Sequence, residues 1–290
     1  MGRKEWRLAD RTLTLESPLP VGIVNVTSDS MFSGARSETP EAAIADGVAL
    51  AEAGFEMLDV GAVAARSGPQ VRPEQEAAKL APAIRGLRER GDVPISADTH
   101  SAEVAARALE AGAVAINDIS GAGDPALFEL AAESGCGLVL MHIEGPPRED
   151  REPPRYDDPV EHLREWFADR IEAAAARGVD PAQLVLDPGL DFDLALGDDL
   201  EILRRLEELR SLERPLYVSL SRKDFLGAVL AGSWEARLPA EEREWATAAA
   251  TALAAYRGAE IFRLHDESAL QALRVAGAIR DPARAKVLDG

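Results

Sequence analysis

The residues best suited to chemistry in this 290-residue sequence stand at the ends of apolar runs. The stretch from Leu216 to Leu226, LYVSLSRKDFL, closes one such run with Ser221, Arg222 and Lys223, two adjacent cations ahead of a segment with helical spacing. Lys223 is one of four lysines among 32 basic residues, so lysine at this place points to a compact, tunable charge that arginine does not offer. Seven other apolar runs also end on polar side chains: Asn25, Asp59, Asp98, Asn117, His142, Asp187, and Arg263 with His265. Each has an ordinary reading by itself. Asp98 before Thr99 suits a helix cap, Asn117-Asp118 and Asp187-Pro188-Gly189 suit turns, and His142 before a glycine and two prolines suits a structural role. A polar residue closing every run is a joint pattern that caps and turns do not explain.

Taken together, the set suits a flat heterocycle that carries an anion. Asp187 can accept two N–H bonds from an aminopyrimidine edge, Asn117 can donate and accept, and Lys223 can donate to a ring carbonyl or nitrogen. Arg263 and His265, in IFRLH, form a pair of donors for phosphate or diphosphate. Asn25 leads an oxygen-rich loop, NVTSDSMFSGAR, which together with a diphosphate could hold Mg²⁺, a cation that takes few protein ligands plus substrate oxygens. The implied reaction is displacement of diphosphate by a nucleophile. No zinc-type spacing joins the four histidines, and His100 and His162 read as exposed helix positions. There is no GxGxxG, Walker loop or GxSxG, which removes nicotinamide, nucleotide triphosphate and serine-hydrolase readings.

The elements that must position these residues alternate regularly. Strands are predicted at Val21 to Val26, Met57 to Gly61, Pro94 to Asp98, Ala113 to Asp118, Gly137 to His142, Leu184 to Asp187, Leu216 to Leu220 and Glu260 to His265. Helical spacing follows each, near 40–53, 73–89, 101–111, 125–134, 158–177, 198–209, 223–231 with 239–257, and 267–279. Continuous apolar strands alternating with helices indicate a parallel sheet buried on both faces. Eight such units predict an α/β fold, a single (β/α)₈ TIM barrel, with RLADRTLTLE forming a short N-terminal β-hairpin ahead of it. No linker divides the run, so residues 1–290 are expected to form one domain. In such a barrel the strand ends converge on one mouth.

A net charge of −19 argues against nucleic acid or an anionic membrane as partner. No run reaches the length of a membrane span, no signal-peptide core is present, and the single Cys136 fits a reducing compartment, so a cytoplasmic location is expected.

The motifs GIVNVTSDS, ISADTH, AINDISGAG, LMHIEGPPR, LVLDPGLDF, SLSRKDFLG and IFRLHD, in this order and spacing, resemble the dihydropteroate synthase family among the pterin-binding enzymes. The resemblance covers nearly the whole chain. It implies a transferase of folate biosynthesis that joins 6-hydroxymethyl-7,8-dihydropterin diphosphate to p-aminobenzoate and releases diphosphate through a pterin cation. It also implies Mg²⁺, a pterin diphosphate and an aryl amine as small-molecule partners, and a homodimer formed through the later helices. Carried over by position, Asp98, Asn117, Asp187 and Lys223 hold the pterin, while Asn25, Arg66, Arg263 and His265 lie on the diphosphate side. Asn25 is near the metal, and Asp98, Lys223 and Arg263 are the catalytic group, with Asp98 stabilising the cation.

The second-substrate side, Arg66, Ser221, Arg222 and Asp224, departs from the family pattern. After the second strand the chain reads Gly61-Ala-Val-Ala-Ala-Arg66-Ser-Gly68 in place of a GGESTRPG-like loop, and Ser28 replaces a usual proline. Asp191, Asp193 and Leu194 stand in place of glycines and a lysine. Asp224 stands where a serine is usual, and its carboxylate would repel that of p-aminobenzoate by about 1 to 4 kcal/mol at ~4 Å. Three readings follow: a synthase in which Asp224 turns outward as a helix N-cap, a relative that uses another amine, and a non-catalytic pterin-binding protein. Methyl transfer leaves the SRK and RLH groups without a use.

Overall fold

The computed structural model describes residues 5–27, 39–64, 71–149, 151–265 and 267–281. Eight parallel strands make the central sheet: β3 (Leu19–Asn25), β4 (Met57–Gly61), β5 (Ile95–Asp98), β6 (Ala115–Asp118), β7 (Gly137–Met141), β8 (Leu184–Asp187), β9 (Tyr217–Ser219) and β10 (Ile261–Leu264). Their order is β8-β7-β6-β5-β4-β3-β10-β9. A parallel bridge between Leu186 and Leu216, with the Leu186 N–H donating to the Pro215 carbonyl at 3.0 Å, brings the two edges together. The barrel is thereby nearly closed, as the eight apolar runs predicted.

The helices are α1 (Pro40–Ala53), α2 (Pro73–Arg88), α3 (Ala102–Glu110), α4 (Ala126–Ser134), α5 (Pro159–Ala175), α6 (Leu196–Arg204), α7 (Asp224–Ala231), α8 (Glu244–Tyr256) and α9 (Glu267–Arg280). The starts of α1, α3 and α5 carry side-chain caps from Thr39, Ser101 and Asp158. Thr39 accepts from the Ala42 N–H ahead of Pro40, and Asp158 accepts from the N–H groups of Val160 and Glu161 ahead of Pro159. The helix expected to run to residue 209 ends at Arg204 and continues as a 3-10 segment, Leu206–Leu212. That tighter winding stacks residues three apart, and Leu206 and Leu209 are both buried there.

The N-terminal hairpin forms from β1 (Glu5–Arg7) and β2 (Thr12–Thr14), with its first arm two residues earlier than the sequence pattern suggests. Trp6 explains the shift. Its indole is fully buried and donates to the Gln183 carbonyl at 2.9 Å. Trp6 and Leu8 pack with Leu19, Val21, Met57, Ala115, Val139, Val185, Tyr217 and Ile261 from the beginnings of the barrel strands. Full burial of a side chain like Leu8 contributes roughly 1.5–3 kcal/mol. The hairpin therefore plugs the N-terminal end of the barrel, and the polar strand ends occupy the other.

Candidate active site

Strand register sets the level of the first polar residues. Asn25 lies opposite Gly61, Gly61 opposite Asp98, and Asp98 opposite Asn117, so three polar side chains from β3, β5 and β6 share one rung. Two residues below Gly61 on the same strand, Asp59 is fully buried. It accepts from Ser96 Oγ at 2.6 Å, Asn117 Nδ2 at 2.9 Å and Arg263 Nε at 2.6 Å, while Arg263 Nη2 donates to Asp98 at 2.7 Å. The chain Asn117–Asp59–Arg263–Asp98 thus ties four strands across the mouth.

Asp59 belongs to the predicted polar ends but not to the residues assigned a role from sequence. A carboxylate inside the apolar MLDVG run was the available signal, since burying one unpaired is prohibitive. Its presence refines two expectations. An ionised carboxylate only accepts, so Asn117 points its amide nitrogen at Asp59 and offers a ligand its oxygen. Arg263, expected on the diphosphate side, has two of its nitrogens engaged by Asp59 and Asp98.

Burial raises the Asp98 carboxyl well above the ordinary range, against Arg263 and with the push of Asp59. Burial likewise raises Asp187 to about 6, against the Gly189 N–H and the charge of Lys223. Asp187 Oδ1 accepts that N–H at 2.9 Å, and the turn needs glycine. Gly189 has φ +71°, and a Cβ there would lie 2.1 Å from the His142 carbonyl oxygen. Lys223 is buried with its ammonium 4.3 Å from the centre of the Phe192 ring. Phe192 also packs against Ile119, Met141 and Ile143, an apolar cluster at the ends of β6 and β7 that sequence spacing did not isolate.

His265 and Ser221 join the last two strand ends, the His265 N–H donating to Ser221 Oγ at 3.1 Å. Burial first, then Arg263, Arg222 and Lys223, lowers the His265 imidazole to about 3, so it is neutral and offers a phosphate an N–H rather than a charge. Arg222 sits at φ +55° and is buried, its N–H bonded to Thr247 Oγ1 at 3.0 Å. Its Nη1 donates to the carbonyls of Ala240 and Glu241.

The structure corrects the reading of Asp224 as a helix N-cap. Lys223 holds that position, and Asp224 is the first residue of α7. Its carboxylate lies 2.6 Å from Arg243 Nη1 and 3.4 Å from Arg237 Nε. The capping acceptor is Asp191, whose carboxylate takes the N–H groups of Asp224 at 2.9 Å and Phe225 at 3.2 Å. Asp191 and Asp193 both have positive φ, 67° and 59°, a backbone shape that aspartate tolerates better than most side chains. Both aspartates thus hold the turn, and Asp191 adds a cap to α7.

Three histidines are placed otherwise than expected. His142 packs edge-on against Trp166 and His162 of α5, so its side chain does not face the other strand ends. His162, read as an exposed helix position without a partner, lies 3.3 Å from His142 and 2.8 Å from Glu144. His100 lies in the turn before α3 rather than on a helix. Arg66, Ser28 and residues 28–38 of the first loop lie outside the described residues.

Comparison with known proteins places this arrangement. Residues 21–265 match a family model described as pterin binding enzyme. A dihydropteroate synthase from Synechocystis sp. is 37% identical over 262 residues, covering 89% of each chain. The structure of Xanthomonas albilineans dihydropteroate synthase with 4-aminobenzoic acid superposes with a TM-score of 0.86 at 36% identity, over 97% of this chain and 99% of that one. The same enzyme in complex with 7,8-dihydropteroate gives 0.82 at 36% identity, over 95% and 99%.

Proposed function

The chain belongs to the pterin-binding enzymes, and from that membership we propose how its mouth performs the dihydropteroate synthase reaction. That reaction joins 6-hydroxymethyl-7,8-dihydropterin diphosphate to p-aminobenzoate and releases diphosphate, a transferase step of folate biosynthesis. Asp187 accepts from the aminopyrimidine edge of the pterin, Asn117 accepts through its amide oxygen, and Lys223 donates to the ring. The cluster of Ile119, Met141, Ile143 and Phe192 supplies an apolar wall for a flat ring.

In its ionised form, which the Arg263 charge favours against the effect of burial, Asp98 is the negative group beside the carbon that loses diphosphate, and it favours positive charge there. Arg263 orients Asp98 through a 2.7 Å ion pair. Arg66, Arg263 and the neutral His265 donate to the departing diphosphate. Oxygen ligands on a β3 end level with Asp98 fit Mg²⁺, and Asn25 would hold it together with diphosphate oxygens. When bound, the ion offsets the leaving group's charge.

The observation that favours p-aminobenzoate over a cationic amine is the Asp224–Arg243 pair. A carboxylate held 2.6 Å from a guanidinium no longer presents a bare negative charge to the substrate. Ser221, Arg222 and Arg66 then complete the second-substrate side. We place the whole chain in one domain that acts as a homodimer in the cytoplasm. Exposed apolar side chains on α7, α8 and α9 support the dimer, and a single buried cysteine accords with a reducing compartment. Among the described residues no helix is long and apolar enough to cross a membrane.

The test follows diphosphate release from the pterin diphosphate with Mg²⁺, with and without p-aminobenzoate, and identifies the pterin product by mass. Amine-dependent release with formation of dihydropteroate is expected. Tight pterin binding with no dihydropteroate overturns the reading. Lys223→Ala and Asp187→Ala should each abolish pterin binding, and retention in both would remove the site assignment.

A further inference from the structure

Away from the strand ends that face one another, three potential ligand atoms converge between β7 and α5. His142 Nε2 lies 3.3 Å from His162 Nε2 and 3.4 Å from Glu144 Oε1, and His162 Nε2 lies 2.8 Å from the same oxygen. Tetrahedral zinc holds nitrogen and oxygen ligands at roughly 2.0–2.1 Å, which separates any two of them by about 3.3 Å. Two edges of the observed triangle have that length. The third is half an ångström shorter, a hydrogen-bond length that a small motion of the Glu144 side chain relaxes.

We propose that His142, Glu144 and His162 form a binding site for a zinc-class divalent cation, with water as the fourth ligand. Two imidazole nitrogens aimed at each other and at one carboxylate oxygen are the donor set that zinc, cobalt and nickel favour over magnesium. The ligands are held in place before any cation arrives. His142 follows β7 directly and its N–H donates to the Asp187 carbonyl at 2.9 Å. His162 lies in the first turn of α5, its N–H bonded to the Asp158 carbonyl at 3.1 Å and its ring stacked on Tyr156 at 4.2 Å. Tyr156 Oη donates to Glu144 Oε1 at 3.0 Å, the kind of outer contact that orients a metal-binding carboxylate.

Protonation states agree with this geometry. Burial lowers the His142 imidazole, keeping it neutral, and contact with His142, aided by Tyr156 and His162, holds Glu144 down to about 2. His142 is buried while the His162 and Glu144 side chains are about a third exposed, so solvent reaches the open side of the triangle. A cation here would pin the end of β7 and Glu144 to α5, beside the Asp187 turn. It would be separate from Mg²⁺ at Asn25, which ends a different strand.

The experiment titrates tag-free, chelator-stripped protein with Zn²⁺ by calorimetry and with Co²⁺ by visible absorption, in the presence of excess Mg²⁺. One site per chain and the absorption of tetrahedral cobalt are expected. His162→Ala and Glu144→Gln, checked by circular dichroism for an unchanged fold, should each weaken binding at least about tenfold, the lower bound even for groups that only support a ligand. Two results overturn the proposal: absence of saturable binding with no cobalt band, or binding of equal strength in both variants, which would place the cation elsewhere. Dihydropteroate formation with Mg²⁺ is measured on the same stripped protein, so failure of this site is separable from failure of the synthase reading.

Discussion

Asp224 carries the same sign of charge as p-aminobenzoate, and Arg243 determines what that charge does. The guanidinium is nearly buried and also donates to the carbonyls of Leu238 and Arg222, so it is fixed by three acceptors. Replacing Asp224 by serine should therefore change kcat/KM for p-aminobenzoate by less than about threefold, within 1 kcal/mol. Arg243→Ala removes the closer of the two guanidiniums beside Asp224, leaving Arg237 at 3.4 Å, and should cost about 1–3 kcal/mol in urea unfolding, with a raised KM for p-aminobenzoate. A larger kinetic effect from Asp224→Ser than from Arg243→Ala would refute this account. Asp187 makes a second case. Its folded pKa of about 6 lies above the ordinary carboxyl value, so the native state binds the extra proton, and this group's contribution to stability is lost as pH rises toward 6. The pterin needs the anion, so affinity measured by calorimetry should rise as pH rises through about 6. Asp187→Asn, which still accepts the Gly189 N–H, should stabilise the protein by about 1–3 kcal/mol at pH 8 while losing pterin binding. The residues named from sequence were those whose type alone restricts their chemistry. The partners of Asp59 and of Asp224 were not legible, because they lie 58, 204 and 19 residues away.

At the scale of elements, period and cap signals placed nearly all of the barrel, since each strand and helix is encoded within its own run of residues. What escaped was contact between neighbouring loops. The turn after β8 reads as an unusual DPGLDFD, and only in three dimensions does Asp191 supply the acceptor for α7. That helix has eight residues and no side-chain cap of its own, so its start depends on the adjacent loop. Asp191→Ala should lose a cap worth about 1 kcal/mol and also place alanine at φ +67°, at a further cost of roughly 1–2 kcal/mol. Asp191→Gly loses only the cap. Urea unfolding should thus rank the variants wild type, glycine, alanine in decreasing stability. The reverse order for glycine and alanine would show that the loop does not hold this backbone shape in solution. Because α7 begins directly after Lys223, both variants should also weaken pterin binding, with the alanine form weaker.

At the scale of the molecule, two features oppose each other. Trp245 is 80% and Tyr256 70% exposed on α8, with Leu253 between them in sequence. Eleven residues on from Trp245, Tyr256 returns to within about 20° of it, and Leu253, eight residues on, lies about 80° round, inside one broad stripe of the helix. Val275 and Ile279 on α9, four residues apart, and Val229 and Leu230 on α7 extend the exposed apolar surface to the helices packed beside it. Burying such aromatic side chains between two copies favours association. Against it stands a charge of −19 on each chain, whose mutual repulsion acts beyond the contact itself. Salt screens the repulsion, with a Debye length near 8 Å at 0.15 M and about 30 Å at 0.01 M, but does not weaken the apolar contact. A dimer formed through these faces should therefore tighten as ionic strength rises, contrary to an interface built on ion pairs. Sedimentation equilibrium across that salt range measures it directly. Trp245→Glu should raise the dissociation constant about 30-fold or more, the equivalent of losing 2 kcal/mol at a central aromatic. A chain that stays monomeric at tens of micromolar in 0.15 M salt, or a dimer that loosens with salt, would assign the apolar helix faces to another role.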